Sequence, residues 1–263
     1  REDALNAVYA ILQPGEPMTM EQAEKDLTSM FYSERRYDLG RVGRYKLNSK
    51  FETEDISSFT LVPEDIINTI NFLNNDPEID GYIVQLPLPE HINETRVIQS
   101  INPDKDVDGF TLHNIGLMQL GEPCYLPATP FGILELLKRS DIEISGKHVV
   151  VLGRSNIVGT PVSVMLSRKG VDATVTMCHR KTKNLKELTL QADILIVAVG
   201  QPEFVKADMV KDGAVVVDVG IHRIKDNSEK GYHIIGDVAY DEVYKKASKI
   251  TPVPGGVGPM TFR

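Results

Sequence analysis

Residues 146–170, GKHVVVLGRSNIVGTPVSVMLSRKG, form the stretch around which the rest of the chain is organised. The apolar run Val149–Leu152 is rich in β-branched residues, which predicts a buried parallel strand. Gly153 ends that strand, Ser155 offers a capping oxygen, and from Pro161 onward the apolar spacing is helical. A strand, a glycine turn and a helix start build an anion site, because free N–H groups and the helix dipole meet there.

The dinucleotide fingerprint is only partly present in this turn. G-x-G-x-x-G requires a glycine in the middle position, whereas this chain has Gly153 and Gly159 with Ser155 between them. Taken alone, the turn is equally compatible with an ordinary tight connection between a strand and a helix.

The next predicted strand, Ala173–Met177, favours the dinucleotide interpretation. At its end the fingerprint places an acidic residue that binds the ribose 2′-hydroxyl. This chain has His179, Arg180 and Lys181 there instead. Positive charge in place of the acid suits a 2′-phosphate, which favours NADP over NAD; the alternative is a solvated basic turn.

Two more buried strands follow, Asp193–Gly200 and Ala214–Gly220, and each ends in glycine. Four such strands with helices between them predict an α/β fold with a doubly wound sheet.

The composition limits the class of protein. The 263 residues are 41% hydrophobic and 25% charged, which leaves room for two ordinary domains. The formal net charge of −8 makes non-specific nucleic-acid binding an unfavourable interpretation. Cys124 and Cys178 have no metal-like spacing, so we expect no metal site and a cytoplasmic setting. No apolar run approaches the roughly 18 residues of a membrane span.

A helix is predicted over Ile66–Leu73 and a strand over Tyr82–Leu86. Pro87 and Pro89 follow that strand and stiffen its end, where Gln85 lies. A side-chain amide held in this way both donates and accepts hydrogen bonds, which suits the edge of a heterocycle.

The acidic turn Asp104–Gly109 is similar to the start of a calcium loop. The twelfth position of such a loop needs a bidentate glutamate and is Ile115 here, so calcium is rejected. The turn instead makes Asp106 or Asp108 an acceptor for an amino-substituted ring.

Two further segments lie in the second half of the chain. Thr129–Lys138 is predicted to be an amphipathic helix with Thr129 as its N-cap and Pro130 at its first position. The loop Thr251–Met260 contains three prolines and three glycines, so a stiff backbone is combined with close approach to a ligand.

Eight motifs occur in order over residues 66–261. They are YIVQLPLP, PDKDVDGF, ATPFGILELL, GRSNIVGTP, ADILIVAVGQP, DVGIHR, GDV and ITPVPGGVGPMT. Together they resemble the bifunctional methylenetetrahydrofolate dehydrogenase/methenyltetrahydrofolate cyclohydrolase family. The resemblance implies that a hydride passes from 5,10-methylenetetrahydrofolate to NADP⁺ and that water opens the methenyl product to 10-formyltetrahydrofolate.

The resemblance also implies an architecture and a set of site residues. It implies a doubly wound Rossmann-type NADP domain (residues 141–263), a truncated α/β folate-binding domain (66–140), one cleft between the two and a homodimer through the cofactor domain. The residues implied in cofactor binding are Gly153, Arg154, Ser155, Arg180 and Ile221, with Arg180 at a 2′-phosphate position where many members have serine. Those implied in binding the folate are Val84, Gln85, Leu86, Asp108, Pro254, Gly255, Gly256, Val257 and Gly258, of which Gln85 and Asp108 are also catalytic candidates.

This sequence departs from the family at both ends. The family's Tyr-x-x-x-Lys, whose lysine is the principal catalytic group, is absent, and Tyr45 and Lys50 are one residue too far apart to imitate it. We therefore expect NADP binding to survive, dehydrogenation to be weaker and cyclohydrolase activity to be nearly lost, since losing a principal acid–base group costs on the order of 10²–10⁴-fold. The family's closing helix would lie beyond Arg263.

Residues 1–65 are interpreted as a foreign segment, joined to the rest within about residues 52–66. Helices are predicted over Ala4–Leu12 and Thr19–Met30. PGEP, FYSERRYDL and VGRYKLN within residues 1–52 resemble an internal piece of the β subunit of bacterial RNA polymerase. The alternatives to an active enzyme are a non-catalytic NADP-binding remnant, a polymerase-associated fragment and a different Rossmann dehydrogenase.

Overall fold

The computed structural model describes residues 45–47, 53–55, 63–228 and 231–262. The chain divides into two compact units, Arg1–Val107 and Asp108–Arg263. The two helices predicted for the first 30 residues lie outside the described residues.

Among its described residues, the first unit contains a short antiparallel pair of strands, two α-helices and one 3₁₀ helix (Pro103–Lys105). Strand β1 (Tyr45–Leu47) pairs antiparallel with β2 (Thr53–Asp55), and the helices are α1 (Pro63–Asn75) and α2 (Glu94–Gln99). The apolar spacing predicted α1 correctly. Its buried side belongs to a small core made of Ile66, Ile70, Leu73, Tyr82, Ile92, Val97 and Ile101.

The predicted strand Tyr82–Leu86 is wrong beyond its first residue. Tyr82 forms an isolated parallel bridge with Asp106, and residues 83–86 belong to no described ladder. The Leu86–Pro87 peptide bond is cis. Proline has no N–H to donate, so Pro87 and Pro89 prevent a ladder from continuing through this segment.

The second unit is built on a parallel sheet. In chain order its strands are β3 (His148–Leu152), β4 (Thr174–Cys178), β5 (Ile194–Val197), β6 (Val215–Asp218), β7 (His222–Lys225), β8 (Tyr232–Ile235) and β9 (Lys249–Ile250). Five of them form the described parallel sheet in the order β4-β3-β5-β6-β9. β7 and β8 form a separate antiparallel pair.

Helices cover both faces of this sheet. They are α3 (Leu112–Leu120), α4 (Ala128–Arg139), α5 (Gly159–Ser167), α6 (Leu185–Thr189) and α7 (Tyr240–Val243). Val149 and Val151 of β3 are buried in a core with residues of α3, α4 and α5, whereas Val150 and Leu152 are buried in a second core with residues around α6 and α7. Burial on both faces explains the unbroken valine run, and the predicted doubly wound α/β fold is confirmed.

Three details differ from the predictions. The sheet has a fifth strand, β9, and the β7–β8 hairpin was not predicted. Helix α4 begins at Ala128 after Pro127, with no capping bond from a side chain, so the predicted Thr129 N-cap is wrong. Pro130 is the third helical residue, still in the first turn, where its missing N–H leaves no bond unmade.

Among the described helices, none is long and apolar enough to cross a membrane.

Candidate functional site

The turn after β3 needs glycine at its first position. Gly153 has a φ of +115°, and its N–H donates to the carbonyl of Cys178 at 2.9 Å. A Cβ on Gly153 would overlap the carbonyl oxygen of Ala198, which follows β5. The ends of β3 and β5 therefore touch at this point. Strand order reverses between these two strands, and ligands of doubly wound sheets bind at such a switch point.

Ser155 replaces the middle glycine of the fingerprint with a helix cap. Its Oγ accepts hydrogen bonds from the N–H groups of Val158 (3.1 Å) and Gly159 (3.4 Å) at the start of α5. Its carbonyl accepts from the N–H of Thr160 at 3.0 Å. Residues 154–157 are exposed, so this turn presents its side chains to solvent at the carboxyl edge of the sheet.

Two arginines stand at neighbouring strand ends. Arg154 follows β3 and Arg180 follows β4, and both are exposed. Neither forms an ion pair within the part of the chain that the structure describes. Two hydrogen bonds within the turn fix the segment that carries Arg180. The N–H of Thr182 donates to His179 O at 2.7 Å, and the N–H of His179 donates to the Thr182 hydroxyl at 2.9 Å. Both guanidinium groups are therefore available to anions at this edge of the sheet.

The ends of β5 and β6 complete the carboxyl edge. Ile221, three residues beyond β6, is 65% exposed. The backbone of Val199–Gln201, just after β5, donates three N–H bonds to the buried carboxylate of Asp237. Asp237 is the aspartate of the motif GDV quoted above, and no role was predicted for it from the sequence. The signal available was an aspartate between glycine and valine directly after the apolar pair Ile234-Ile235.

The glycine- and proline-rich loop begins at the same edge. The hydroxyl of Thr251, directly after β9, accepts from the N–H of Asp218 at 2.8 Å. Gly256 and Val257 are buried, whereas Pro254 and Gly255 are exposed, and the Val253–Pro254 bond is cis. Gly258 is half-buried. The structure therefore brings this loop to the same edge of the sheet as Gly153, Arg154, Ser155, Arg180 and Ile221.

Other predicted residues occupy the first unit. Gln85 is exposed, flanked by half-buried Val84 and Leu86, and its amide Nε2 donates to the carbonyl of Leu86 at 3.0 Å. Asp106 is 2% exposed and already has an interaction partner, so it is not available at the surface as an acceptor. Lys105 caps helix α1, because its Nζ donates to the carbonyls at the end of that helix at 2.9 and 2.7 Å.

Asp108 belongs to the second unit, where it is half-buried and also has an interaction partner. Tyr45, compared above with the family tyrosine, lies in β1, and Lys50 is outside the described residues.

A cavity of about 390 Å³ opens at the opposite, amino-terminal edge of the sheet. Its lysines are occupied: Lys147 pairs with Glu143 at 3.0 Å, Lys211 pairs with Asp193 at 2.6 Å, and Lys249 donates to a backbone carbonyl. The candidate site lies at the carboxyl edge, where parallel sheets bind their ligands. This cavity lies at the other edge and is therefore separate from the candidate site.

Comparison with known proteins identifies two family models along the chain. Residues 127–263 match the model described as tetrahydrofolate dehydrogenase/cyclohydrolase, NAD(P)-binding domain. Residues 40–108 match the model described as tetrahydrofolate dehydrogenase/cyclohydrolase, catalytic domain. The second match begins within the segment that the sequence analysis interprets as foreign.

Related proteins and structures match most of the chain. The bifunctional protein FolD of Cytophaga hutchinsonii is 62% identical over 206 residues, which cover 77% of this chain and 71% of that protein. The crystal structure of FolD from Campylobacter jejuni has a TM-score of 0.72 and 48% identity, covering 77% of this chain and 70% of that one. The Trypanosoma brucei FolD structure, a complex with NADP cofactor and inhibitor, has a TM-score of 0.72 and 38% identity, with coverage of 77% and 69%.

Proposed function

Because the chain belongs to the tetrahydrofolate dehydrogenase/cyclohydrolase family, we propose that it oxidises 5,10-methylenetetrahydrofolate with NADP⁺ and hydrolyses the methenyl product to 10-formyltetrahydrofolate. The observation that carries this proposal is the carboxyl edge of the sheet in the second unit. There the capped turn after β3, two arginines and the proline–glycine loop meet.

The donor groups at this edge fit a phosphorylated dinucleotide. Gly153, Arg154 and Ser155 would hold its phosphates at the start of α5, where the helix dipole favours negative charge. Arg180 would bind the 2′-phosphate, because a guanidinium that has no carboxylate partner among the described residues is available to a phosphate dianion. When bound, the cofactor supplies the hydride acceptor. Ile221, largely exposed, would cover an apolar part of it.

For the folate we propose the family's contacts, position by position. Gln85, with Val84 and Leu86, would contact the ring system through an amide that both donates and accepts. Asp108 would accept hydrogen bonds from the pterin, and the segment Pro254–Gly258 would form the wall of the pterin site. We propose Gln85 and Asp108 as the catalytic candidates that remain without the family lysine.

The missing lysine sets the expected order of activities. Hydride transfer depends mainly on holding the two reactants together, so it is expected to be weakened. Hydrolysis also needs a group that positions water and moves a proton, and the loss of such a group costs on the order of 10²–10⁴-fold. NADP binding uses residues of the second unit alone and is expected to persist.

Three measurements on the full chain test this proposal. Calorimetric titration measures NADP binding, a spectrophotometric assay with methylenetetrahydrofolate and NADP⁺ measures dehydrogenation, and decay of the methenyl chromophore measures hydrolysis. We expect binding, slow dehydrogenation and almost no enzymatic hydrolysis. Failure to bind NADP would refute the function, and hydrolysis as fast as in a family member with the lysine would refute the role of the missing group. Binding without any turnover would select the alternative, a non-catalytic NADP-binding remnant.

We further propose that the protein is a cytoplasmic homodimer of one-carbon metabolism, in support of purine biosynthesis. Strand β4 supports the dimer: it is an edge strand of the described sheet, it carries no charged residue, and Met177 on it is 41% exposed. Such an unprotected edge is suited to pairing with a second copy. Light scattering after size-exclusion chromatography measures the mass, and a monomer at micromolar concentration would contradict the proposal.

We also propose that residues 1–52 derive from a polymerase β-subunit sequence, on the motifs given above. Residues 40–52 carry both likenesses, because the catalytic-domain match starts at residue 40. Sequencing across codons 45–75 of the source DNA tests this origin. One uninterrupted reading frame would indicate a genuine fusion, and co-purification with RNA polymerase would instead favour a polymerase-associated role.

A further inference from the structure

We propose that Asp237 is a positioning residue, which holds the backbone of Val199–Gln201 and the imidazole of His222 at the nicotinamide half of the cofactor site. The proposal rests on the proposed function, since it concerns the same site. Asp237 is buried and is not one of the residues proposed above to hold the cofactor phosphates.

The carboxylate of Asp237 is saturated with donors. It is 0% exposed. Oδ2 accepts from the N–H groups of Val199 (2.7 Å) and Gly200 (2.9 Å). Oδ1 accepts from the N–H of Gln201 at 2.9 Å and is 2.7 Å from Nε2 of His222. Three consecutive amides and one imidazole therefore converge on a single buried group, which requires acceptor capacity that a neutral side-chain amide does not have.

The loop that Asp237 holds lies at the switch point of the sheet. Val199–Gln201 directly follow β5 and Ala198, whose carbonyl closes against Gly153 of the phosphate turn. If the 2′-phosphate lies at the end of β4 and the other phosphates at the end of β3, the remaining half of the dinucleotide extends over the ends of β5 and β6. Asp237 fixes both of these ends, the first through Val199–Gln201 and the second through His222.

A second buried carboxylate fixes Asp237 itself. Asp218, at the end of β6, accepts from the N–H groups of Asp237 and Val238 at 2.9 Å each. It also accepts from the N–H of Gly220 at 2.9 Å. Burial raises the pKa of Asp218, the three N–H bonds oppose that effect, and the charge of Asp237 adds to it. The backbone that carries Asp237 is thus tied to the sheet, so its carboxylate cannot follow the loop if the loop shifts.

The test compares Asp237→Asn with Asp226→Asn. Asp226 makes a similar pair with Nδ1 of His233 at 2.8 Å, but it lies on the exposed turn of the β7–β8 hairpin and touches none of the loops named above. Hydrogen exchange of the ligand-free proteins measures how fast the amides of Val199–Gln201 exchange. Calorimetric titration measures the affinity for NADP. In Asp237→Asn we expect faster exchange at those amides and about 10- to 100-fold weaker NADP binding, because leaving a buried donor without its acceptor carries a penalty of that order.

Three controls separate positioning from a general loss of structure. Exchange in the β3 amides stays slow in Asp237→Asn, the KM for the folate stays within about twofold while the affinity for NADP falls, and Asp226→Asn behaves as the parent. Parental NADP affinity in a folded Asp237→Asn protein would overturn the proposal.

Exchange in the unsubstituted chain provides the second measurement, which stands even if Asp237→Asn fails to fold. The Val199–Gln201 amides must already be protected without NADP, and rapid exchange there would also overturn the proposal. Absence of NADP binding to the unsubstituted chain is a different result: it refutes the proposed function, while protected amides would still show that Asp237 orders the loop.

Discussion

Leu152 lies directly opposite Cys178 in the parallel pairing of β3 with β4, so these two strands end in register. Arg154 and Arg180 each follow two residues later. Neighbouring strands are about 4.8 Å apart, so the side chains of the two arginines leave the backbone at adjacent points on the same edge of the sheet. A phosphate at the end of β3 and another at the end of β4 would each lie beside one of these arginines.

Replacing Arg180 with alanine is expected to change the choice of cofactor. A charged hydrogen bond to a phosphate contributes about 1.5–3 kcal/mol, so NADP affinity should fall by roughly 10- to 100-fold. NAD affinity should hardly change, because NAD lacks the 2′-phosphate. Calorimetric titration with both cofactors at low and moderate salt measures the ratio.

Lys183→Ala is the matched control for this prediction. Lys183 is an exposed cation of the same loop, three residues further on. Its removal should weaken both cofactors equally and slightly, through long-range attraction that salt screens. An equal loss of NADP and NAD affinity in Arg180→Ala would contradict the assignment of Arg180 to the 2′-phosphate.

Gly153→Ala is expected to destabilise the second unit. The positive φ of Gly153 costs a side chain about 1–2 kcal/mol, and the overlap with the carbonyl of Ala198 adds to that cost. We expect a loss of at least about 2 kcal/mol in the free energy of unfolding, measured by urea denaturation. The control is Gly116→Ala in α3, where a Cβ meets open space. This substitution should raise the free energy of unfolding by about 0.5–1 kcal/mol, because alanine favours a helix over glycine by that amount. Similar effects of the two substitutions would show that the turn after β3 is looser than described.

The sheet was predictable because its strands are buried on both faces. Runs such as Val149–Leu152 and Ile194–Val197 are apolar at every position, which leaves few alternatives to a doubly wound sheet. Strand β9 has only two residues, and β7 (HRIK) and β8 (YHII) mix polar and apolar residues without regular alternation, so neither produces a signal of that strength.

The positions of charged groups in the candidate site were only partly predictable. Arg154 and Arg180 follow strand ends, and the order of elements was enough to bring them together. Asp237 accepts bonds from residues 36 to 38 positions earlier in the chain, and no local pattern shows which amides will lack a partner. Its role therefore emerged only from the folded backbone.

Gln85→Leu is expected to weaken folate binding and leave NADP binding unchanged. Leucine preserves the approximate size of the side chain but removes the amide, and an unpaired polar edge on the ligand costs about 1–3 kcal/mol. The KM for methylenetetrahydrofolate should therefore rise about tenfold or more. Steady-state kinetics measures it, with Gln119→Leu, an exposed glutamine on α3, as the control. An unchanged KM would remove Gln85 from the proposed folate site.

Tyr82→Phe is expected to alter the alkaline stability of the first unit. The phenol of Tyr82 donates to Oδ1 of Asn74 at 2.7 Å, and burial, reinforced by the charge of Asp106, raises the pKa of Tyr82 from 10.0 to about 12. Since the folded state favours the protonated phenol, its contribution is complete below pH 10 and is lost as the pH rises from 10 to about 12. Below pH 10 the variant should be less stable by about 1 kcal/mol, the value of one hydrogen bond.

The measurement is urea denaturation of both proteins from pH 8 upward, followed by a probe in the first unit. Lysines titrate in the same range in both proteins, so the difference between the two curves isolates Tyr82. That difference should shrink as the pH rises through this window and reverse when the unsubstituted phenol must ionise on unfolding. A constant difference across the range would mean that the pKa of Tyr82 is the same in the folded and the unfolded chain, so that its hydroxyl is solvated when the chain is folded. A difference close to zero below pH 10 would mean that the Asn74 contact contributes nothing to the stability of the first unit.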